Sequence, residues 1–319
     1  MAGISAPVTV SILMGVHQGR AFLADQLDSF LAQSVRDWAL FVSDDSPAPD
    51  DGSGQILRVF QATNSARDIT LRPGPRAGFA ANYLTLLRDA PRDVPYAALS
   101  DQDDVWQPDK LRRAIAALEA VPDDVPALYC ARTMVVAENL AEIGISPAFG
   151  RAPAFENALV QSIGGGNTMV LNRAAQDLVA DLADEVLRGP GTVVAHDWWL
   201  YQVITGCGGR VLRDGAPVLL YRQHGGNVIG ANRSLGARLA RASALMGGRL
   251  QRWNRINMAA LAPAAKRFTP AAQATIAQYR VAQSGPFGRR LAALRASGVW
   301  RQGWVDTGAL YLACLLRRL

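Results

Sequence analysis

The chain has 319 residues, half of them hydrophobic, so it can build a sizeable core and is not intrinsically disordered. Its net charge of +6 comes without a zinc-finger, helix-turn-helix or RNA-binding signature, so we expect no nucleic-acid partner. No apolar stretch approaches membrane-spanning length, and no basic region followed by an apolar block opens the chain. Three scattered cysteines lack a metal-binding spacing, and a cytoplasmic protein is expected.

The first half of the chain alternates short β-type runs with helical periodicity. The predicted strands are 8–14, 40–43, 69–71 and 96–100, and the predicted helices include 22–31, 56–60 and 79–87. This alternation indicates an α/β fold, a parallel sheet with helices on both faces. Because right-handed crossovers bring the carboxyl ends of the strands to one edge, we expect His17, Asp44 and Asp101 to line one crevice.

A short acidic turn, Asp101-Gln102-Asp103-Asp104, closes the apolar run 96–99. Three carboxylates this close repel one another, and a hard cation such as Mg²⁺ or Mn²⁺ would neutralise them. The alternative is a solvated acidic loop. The position directly after a buried strand, and before Trp106 and a helix that begins at Pro108, favours a site instead.

The second half is less regular. Gly164-Gly165-Gly166 precedes a β-run at 168–171 and a helix at about 173–183. A further helix opens at His196-Asp197-Trp198-Trp199, and a strand at 218–221 ends at Arg222-Gln223-His224. Only helical patterns follow Asn232, so we place a boundary between a catalytic domain, 1–231, and a C-terminal helical region, 232–319.

The loop after the first strand, Gly15-Val16-His17-Gln18-Gly19, lacks the Gly-x-Gly-x-x-Gly spacing of dinucleotide-binding folds. A Gly-Lys-Ser/Thr phosphate loop is also absent from the sequence. These absences argue against an NAD enzyme and a P-loop ATPase.

Asp44 and Asp45 follow the second predicted strand. A carboxylate there can accept the N3–H of a uracil or thymine ring, a hydrogen bond that cytosine and purines do not supply in the same way. The alternative is an Asp-rich turn whose side chains cap nearby backbone groups.

Asp197 is the candidate general base, because partial desolvation beside large aromatic side chains raises the pKa of a carboxylate. Trp198 and Trp199 offer a sugar ring an apolar face, and with Trp106 they form the predicted acceptor-binding set. The alternative is an N-capping Asp with two tryptophans in the core.

Arg222 and His224 lie in a Gly-rich loop after the last predicted strand. The guanidinium suits a diphosphate, and the imidazole suits a metal shell. A single histidine is more often structural, which is the alternative for His224.

Taken in order, several segments resemble the family 2 glycosyltransferases, most closely their rhamnosyltransferase-like branch. The resemblance spans about residues 7–232 and is carried by 8–19, 43–46, 78–83, 101–106, 108–111, 196–199 and 221–225. It implies a GT-A fold, a nucleotide-diphosphate sugar donor, a divalent metal, and inversion at the anomeric carbon.

By this resemblance Asp44 contacts the pyrimidine base, Asp101 and Asp103 form the Asp-x-Asp pair, with Asp103 on the metal, and Asp197 is the catalytic base. Asn82 lies in a segment near the diphosphate. The predicted donor-binding set is Asp44, Asp45, His17, Asn82, Asp101 and Arg222, and the predicted metal set is Asp103, Asp101 and His224.

The chain departs from the family pattern in two loops. His17 stands where a tyrosine is usual, and Ser46-Pro47 stands where Gly-Ser is usual. Both departures concern the nucleotide-base and ribose contacts, and neither touches the metal set.

The sequence thus predicts an inverting, metal-dependent glycosyltransferase that extends a cell-surface or lipid-linked glycan from the cytoplasmic side. The donor predicted from branch resemblance is dTDP-L-rhamnose. One alternative is a metal-dependent nucleotidyltransferase, which the absence of a basic triphosphate-binding loop near the first strand disfavours. The other is a non-catalytic module that binds sugar nucleotides or glycans.

The C-terminal region carries roughly fifteen Arg or Lys against one acid, Asp306. Leucine and tryptophan interleave with these arginines at helical spacing, which favours helices on an anionic membrane surface. A helical packing region with a solvated basic face is an equally weighted alternative.

Overall fold

The computed structural model describes residues 8–48, 51–189, 192–225 and 248–319. Within these residues nine strands form one mixed sheet in the order β3-β2-β1-β4-β8-β6-β9-β5, with β7 beside β6. The strands are β1 Val10–Val16, β2 Trp38–Asp44, β3 Ile69–Pro73, β4 Tyr96–Ser100, β5 Val105–Trp106, β6 Ala127–Val136, β7 Glu142–Ile145, β8 Val170–Asn172 and β9 Arg210–Arg222.

Helices cover both faces of this sheet. In chain order they are α1 Leu23–Leu31, α2 Ser53–Thr63, α3 Phe79–Asp89, α4 Lys110–Leu118, α5 Phe155–Ala158, α6 Arg173–Arg188, α7 His196–Gly206, α8 Arg249–Ala260, α9 Pro270–Ser284, α10 Phe287–Ser297 and α11 Trp304–Leu315. Two short 3₁₀ turns, Gly166–Thr168 and Pro263–Lys266, precede β8 and α9.

The central strand β1 is buried on both sides, because its side chains alternate between two cores. Ile12 and Met14 pack with α1 and α4, whereas Leu13 packs with α3 and α7. This explains why the strand reads as a nearly continuous apolar run, as strands of parallel sheets do.

The prediction that the first four strands form a parallel sheet is confirmed. β1 pairs in parallel with β2 and β4, and β2 with β3. The strand order therefore reverses at β1: β2 and β3 lie on one side of it, and β4 lies on the other. Open α/β sheets form a ligand crevice at such a reversal.

The sheet extends further than predicted, through antiparallel strands. β8 pairs antiparallel with β4 and β6, and the two-residue β5 pairs antiparallel with β9. Strands of two or three residues are too short to show a period, which is why β5 and the true bounds of β8 escape a reading of the sequence. The longer β6 was not predicted either.

The C-terminal helices pack on the α7 face of the sheet. Trp199 in α7 donates from Nε1 to the carbonyl of Ala260 at 3.4 Å, and Phe268 and Tyr279 belong to the same apolar cluster as Trp199. The predicted boundary at 232 lies outside the described residues. Among the described helices, none is both long and apolar enough to cross a bilayer.

Candidate active site

The loops after β1, β2 and β4 meet at the carboxyl edge of the sheet. The backbone N–H of His17 donates to Gln102 Oε1 at 2.7 Å, and Gln102 Nε2 donates back to the His17 carbonyl at 2.9 Å. His17 Nδ1 lies 3.1 Å from the carbonyl oxygen of Asp45. The expected crevice is therefore present, with the acidic turn beside the first loop.

The acidic turn brings three carboxylates together. Single oxygens of Asp101, Asp103 and Asp104 lie within 4.8 Å of one another, a spacing that suits a shared cation. Asp104 differs from the other two because it is fully buried and accepts a hydrogen bond from Asn167 Nδ2 at 2.6 Å. Asp101 and Asp103 are thus the pair available to a ligand, and Asp104 fastens the turn to the loop before β8.

A buried lysine underlies the turn. Lys110 donates from Nζ to the Asn167 carbonyl at 2.7 Å, and the same atom lies 3.0 Å from the centroid of the Trp106 ring. Burial lowers the pKa of Lys110 well below its ordinary value and raises the pKa of Asp104 well above its own. Lys110, at the start of α4, and Asp104, in the acidic turn, therefore both contact Asn167 in the 3₁₀ turn before β8.

Asp103 is held by the loop that ends β9. His224 Nε2 lies 2.8 Å from Asp103 Oδ2, so one cation could contact both side chains. Arg222 donates from Nε to the Asp103 carbonyl at 3.1 Å, and its guanidinium also pairs with Asp25 at 2.7 Å.

The position of Arg222 corrects one prediction. Its side chain is 4% exposed and is engaged by Asp25 and by the carbonyls of Asp103 and Glu138, so it does not present a guanidinium to a diphosphate. Arg222 instead fixes the backbone of the acidic turn.

Tyr83 links the acidic turn to α7. Its hydroxyl lies 2.6 Å from Asp101 Oδ1, and its ring stacks on His196 at 3.8 Å between centroids. Burial, followed by the charge of Asp103, raises the pKa of Asp101 to about 6. The aromatic stack places the first turn of α7 beside the turn that carries Asp101.

Asp197 lies in this first turn of α7 and is half-buried. Its Oδ1 accepts the backbone N–H of Trp198 at 2.6 Å. Burial, the largest effect, and the charge of Asp101 together raise the pKa of Asp197 to about 7, against the lowering effect of that hydrogen bond. A carboxyl group with this pKa can accept a proton near neutral pH.

The nucleotide side of the crevice is built by the end of β2. Asp44 Oδ1 accepts the backbone N–H of Ser46 at 3.0 Å, and the buried Asp45 accepts the backbone N–H of Arg76. Asn82 is also buried. Its Oδ1 accepts the Ser43 hydroxyl at 2.5 Å, and its Nδ2 donates to the Ser43 carbonyl at 3.1 Å. Asp45 and Asn82 therefore shape the loops here, while the half-buried Asp44 remains the residue predicted to contact the base.

The three tryptophans predicted to bind the acceptor lie in the core. Trp199 is 0% exposed, Trp106 is 2% exposed, and Trp198 donates from Nε1 to the Ala158 carbonyl at 2.6 Å. A sugar ring has no access to rings that are packed on all sides. The prediction was wrong, and the alternative of core tryptophans beside Asp197 is the correct interpretation.

Comparison with known proteins identifies the family. The model of glycosyl transferase family 2 matches residues 11–170, half of the chain, and this stretch contains β1 to β4 and the acidic turn. The chain belongs to glycosyl transferase family 2. It is therefore a glycosyltransferase, and this membership decides against the nucleotidyltransferase alternative.

Two known proteins resemble the chain over different lengths. The dTDP-rhamnosyl transferase RfbG of Shigella flexneri is 26% identical over 236 residues, which cover 72% of this chain and 77% of that protein. The protein EpsE of Bacillus subtilis is 33% identical over 110 residues, 34% of this chain and 38% of that protein.

A solved structure agrees with the fold. The S. aureus TarS structure in complex with UDP-GlcNAc superimposes with a TM-score of 0.54 at 12% identity, and the match covers 96% of this chain and 91% of that one. The mixed sheet, the helices on both faces and the C-terminal helices are those of a GT-A fold, which confirms the predicted fold class.

Sequence reasoning missed the residues of this family 2 site that hold others in place. Asp25 and Lys110 carry charge but lie in helices, where charge usually marks a solvated face. Tyr83 entered only as part of the 78–83 segment, and Asn167, between the glycine run and the predicted strand at 168–171, was not considered. The pairing of Gln102 with His17 joins loops 85 residues apart, and no local pattern announces it.

Proposed function

We propose that this family 2 glycosyltransferase moves a sugar from a nucleotide-diphosphate donor to an acceptor hydroxyl, with inversion at the anomeric carbon. The observation that carries the proposal is the placement of Asp197 beside the acidic turn through the His196–Tyr83 stack. A base and a cation-binding carboxylate pair then face the same edge of the sheet. The rhamnosyltransferase from Shigella flexneri supports dTDP-L-rhamnose as the donor.

The metal-ligand atoms of the acidic turn fit a divalent metal. Asp101 and Asp103 offer hard carboxylate oxygens, and His224 adds a nitrogen beside Asp103, a combination that Mg²⁺ or Mn²⁺ accepts. When bound, such a cation neutralises the diphosphate leaving group. Arg222 and Asn167 keep the turn in the conformation that presents these oxygens.

Asp197 supplies the proton acceptor. As the acceptor hydroxyl attacks the anomeric carbon, its proton passes to the Asp197 carboxylate while the sugar–phosphate bond breaks. In the reaction we propose, Asp197 acts as a base, and no side chain of the described site acts as a covalent nucleophile. A single displacement from the opposite face then inverts the anomeric carbon, as in inverting glycosidases.

The test separates binding from chemistry. Calorimetric titration of dTDP-L-rhamnose, UDP-GlcNAc and GDP-mannose, with Mn²⁺ or with EDTA, identifies the donor. Asp103→Ala should weaken Mn²⁺-dependent donor binding by about tenfold or more, because a charge-assisted contact is lost. Asp177→Asn, which alters an exposed ion pair in α6, is the matched control.

Asp197→Asn should bind the donor like the parent protein and lose about 10²- to 10⁴-fold in turnover, because a proton acceptor is removed at nearly constant volume. Turnover is read as nucleotide-diphosphate release with a panel of glycan acceptors. Donor binding that ignores Asp103 would overturn the metal site, and parental turnover in Asp197→Asn would overturn the base.

We also propose where the enzyme works. An exposed apolar stripe on α11 and the residue that follows it is formed by Trp304, Val305, Leu312 and Leu316, and Arg317 and Arg318 come directly after it. Apolar side chains bordered by arginine suit the interface of an anionic membrane. Peripheral attachment to the cytoplasmic face would bring the enzyme to a lipid-linked or cell-surface glycan acceptor.

A further inference from the structure

A cavity of about 540 Å³ lies beside the start of α7. One wall is the segment 192–194, which leads into α7. The other is one face of α8, where Arg249, Arg252, Trp253 and Ile256 follow the three- and four-residue spacing of a single helical side. The volume is in the range that binds small ligands or part of a glycan.

The cavity is close to the proposed base. Val194 lines it and precedes Asp197 by three residues, so the two Cα atoms are at most about 11 Å apart. Trp198, the next residue after Asp197, meets Trp253 edge-on with ring centroids 6.0 Å apart. The wall of the cavity is thus fixed to the turn that carries Asp197.

The cavity and the acidic turn have opposite charge. Arg249 and Arg252 are exposed and line the cavity, and no acidic side chain is among its described lining residues. The Arg249 guanidinium lies 4.8 Å from the centroid of the Trp253 ring, which leaves a cation over a flat, half-buried aromatic surface. Without a bound cation, Asp101 and Asp103 repel an anionic ligand, whereas Arg249 and Arg252 attract one.

We propose that this cavity is the acceptor subsite, and that the acceptor carries an anionic group that Arg249 and Arg252 recognise while Trp253 packs against a sugar ring. The inference rests on the proposed function. The anionic group is a phosphate or a carboxylate, since a guanidinium binds both through paired N–H donors. Holding the anion here directs a hydroxyl one or two sugar units away toward Asp197.

The experiment measures binding of three probes in EDTA by calorimetry or ligand-observed NMR. The probes are glucose 1-phosphate, glucuronic acid and uncharged glucose. At least one anionic probe should bind more tightly than glucose, and the Arg249→Gln/Arg252→Gln double variant should lose about tenfold or more of that affinity. Arg255→Gln, an exposed change on α8 outside the cavity, should leave it unaltered.

A fourth variant separates this inference from the proposed function. Asp103→Ala removes a carboxylate of the donor site, so it should weaken donor binding with Mn²⁺ and leave anionic-probe binding in EDTA unchanged. The acceptor subsite would be overturned by any of three results. The arginine double variant could keep the affinity for the anionic probe, the parent protein could bind glucose as tightly as both anionic probes, or Asp103→Ala could lose anionic-probe binding in EDTA. Preference for glucose 1-phosphate or for glucuronic acid identifies the anionic group.

Discussion

At the residue scale, the protonation of Asp197 is set by two opposing effects. The N-terminal turn of α7 offers backbone N–H groups that stabilise a charged carboxylate, whereas burial and the nearby charge of Asp101 destabilise it. Burial is the largest effect, so the pKa of Asp197 rises to about 7. Its partner in sequence, His196, is buried and neutral, with a pKa lowered to about 3, and does not compete as a base.

This balance predicts the pH dependence of turnover. Because the proposed base, Asp197, must be ionised to accept a proton, kcat/KM should rise through pH 7 and fall about tenfold per pH unit below it. Initial rates between pH 5 and 9, with saturating Mn²⁺, measure the profile. Asp197→Asn is the control, since its residual rate should lack this limb. A parental rate that stays flat from pH 5 to 9 would contradict the proposed ionisation, because the base would then titrate below this range.

At the element scale, α7 is placed by its contact with the 3₁₀ turn before β8. Gly166 lies against the His196 ring, and a Cβ atom on Gly166 would overlap the Nε2 atom of that ring. The ring in turn stacks on Tyr83, which contacts Asp101. A Cβ atom at Gly166 would therefore push apart the two elements that carry Asp197, the proposed base, and the acidic turn.

We expect Gly166→Ala to lower kcat by up to about 100-fold, because small displacements of catalytic groups cost this much. Overpacking should also lower the free energy of unfolding by about 1–3 kcal/mol. The control is Gly164→Ala in the same loop, whose Cβ would meet its nearest neighbour, Thr168 Oγ1, at 3.7 Å. Steady-state kinetics with chemical denaturation measure both effects, and equal behaviour of the two variants would refute the placement of α7 by this contact.

The elements also show what the sequence can predict. β4 and the acidic turn were predictable because an apolar run and a charge cluster adjoin in the chain. The burial of Trp198 and Trp199 was the alternative that the sequence left open, and the lack of a polar face on α7, where almost every residue is buried, is typical of a core helix. The roles of Arg222 and Lys110 depend on contacts across the sheet, which local patterns do not encode.

At the scale of the whole molecule, the C-terminal helices contribute to both the core and the surface. Leu310 and Cys314 of α11 pack into the same apolar cluster as Trp199, which makes this region part of the catalytic fold's core. On the opposite side of α11, Trp304 is 87% exposed and Leu312 is 52% exposed. Exposed apolar area of this kind indicates an interaction surface.

We expect the exposed stripe on α11 to bind anionic vesicles. Co-sedimentation with vesicles of phosphatidylglycerol and phosphatidylcholine should increase with the anionic fraction and decrease with salt, because arginine near an anionic surface contributes about 1 kcal/mol each. Trp304→Ser/Leu312→Ser should reduce binding to all vesicles, since apolar insertion is lost. Arg317→Gln/Arg318→Gln should reduce only the dependence on anionic lipid.

The control is Val59→Ser, an apolar residue of α2 that is 50% exposed and far from the stripe in the chain. Sedimentation that is indifferent to lipid charge and to both double variants would show that α11 packs without binding membrane.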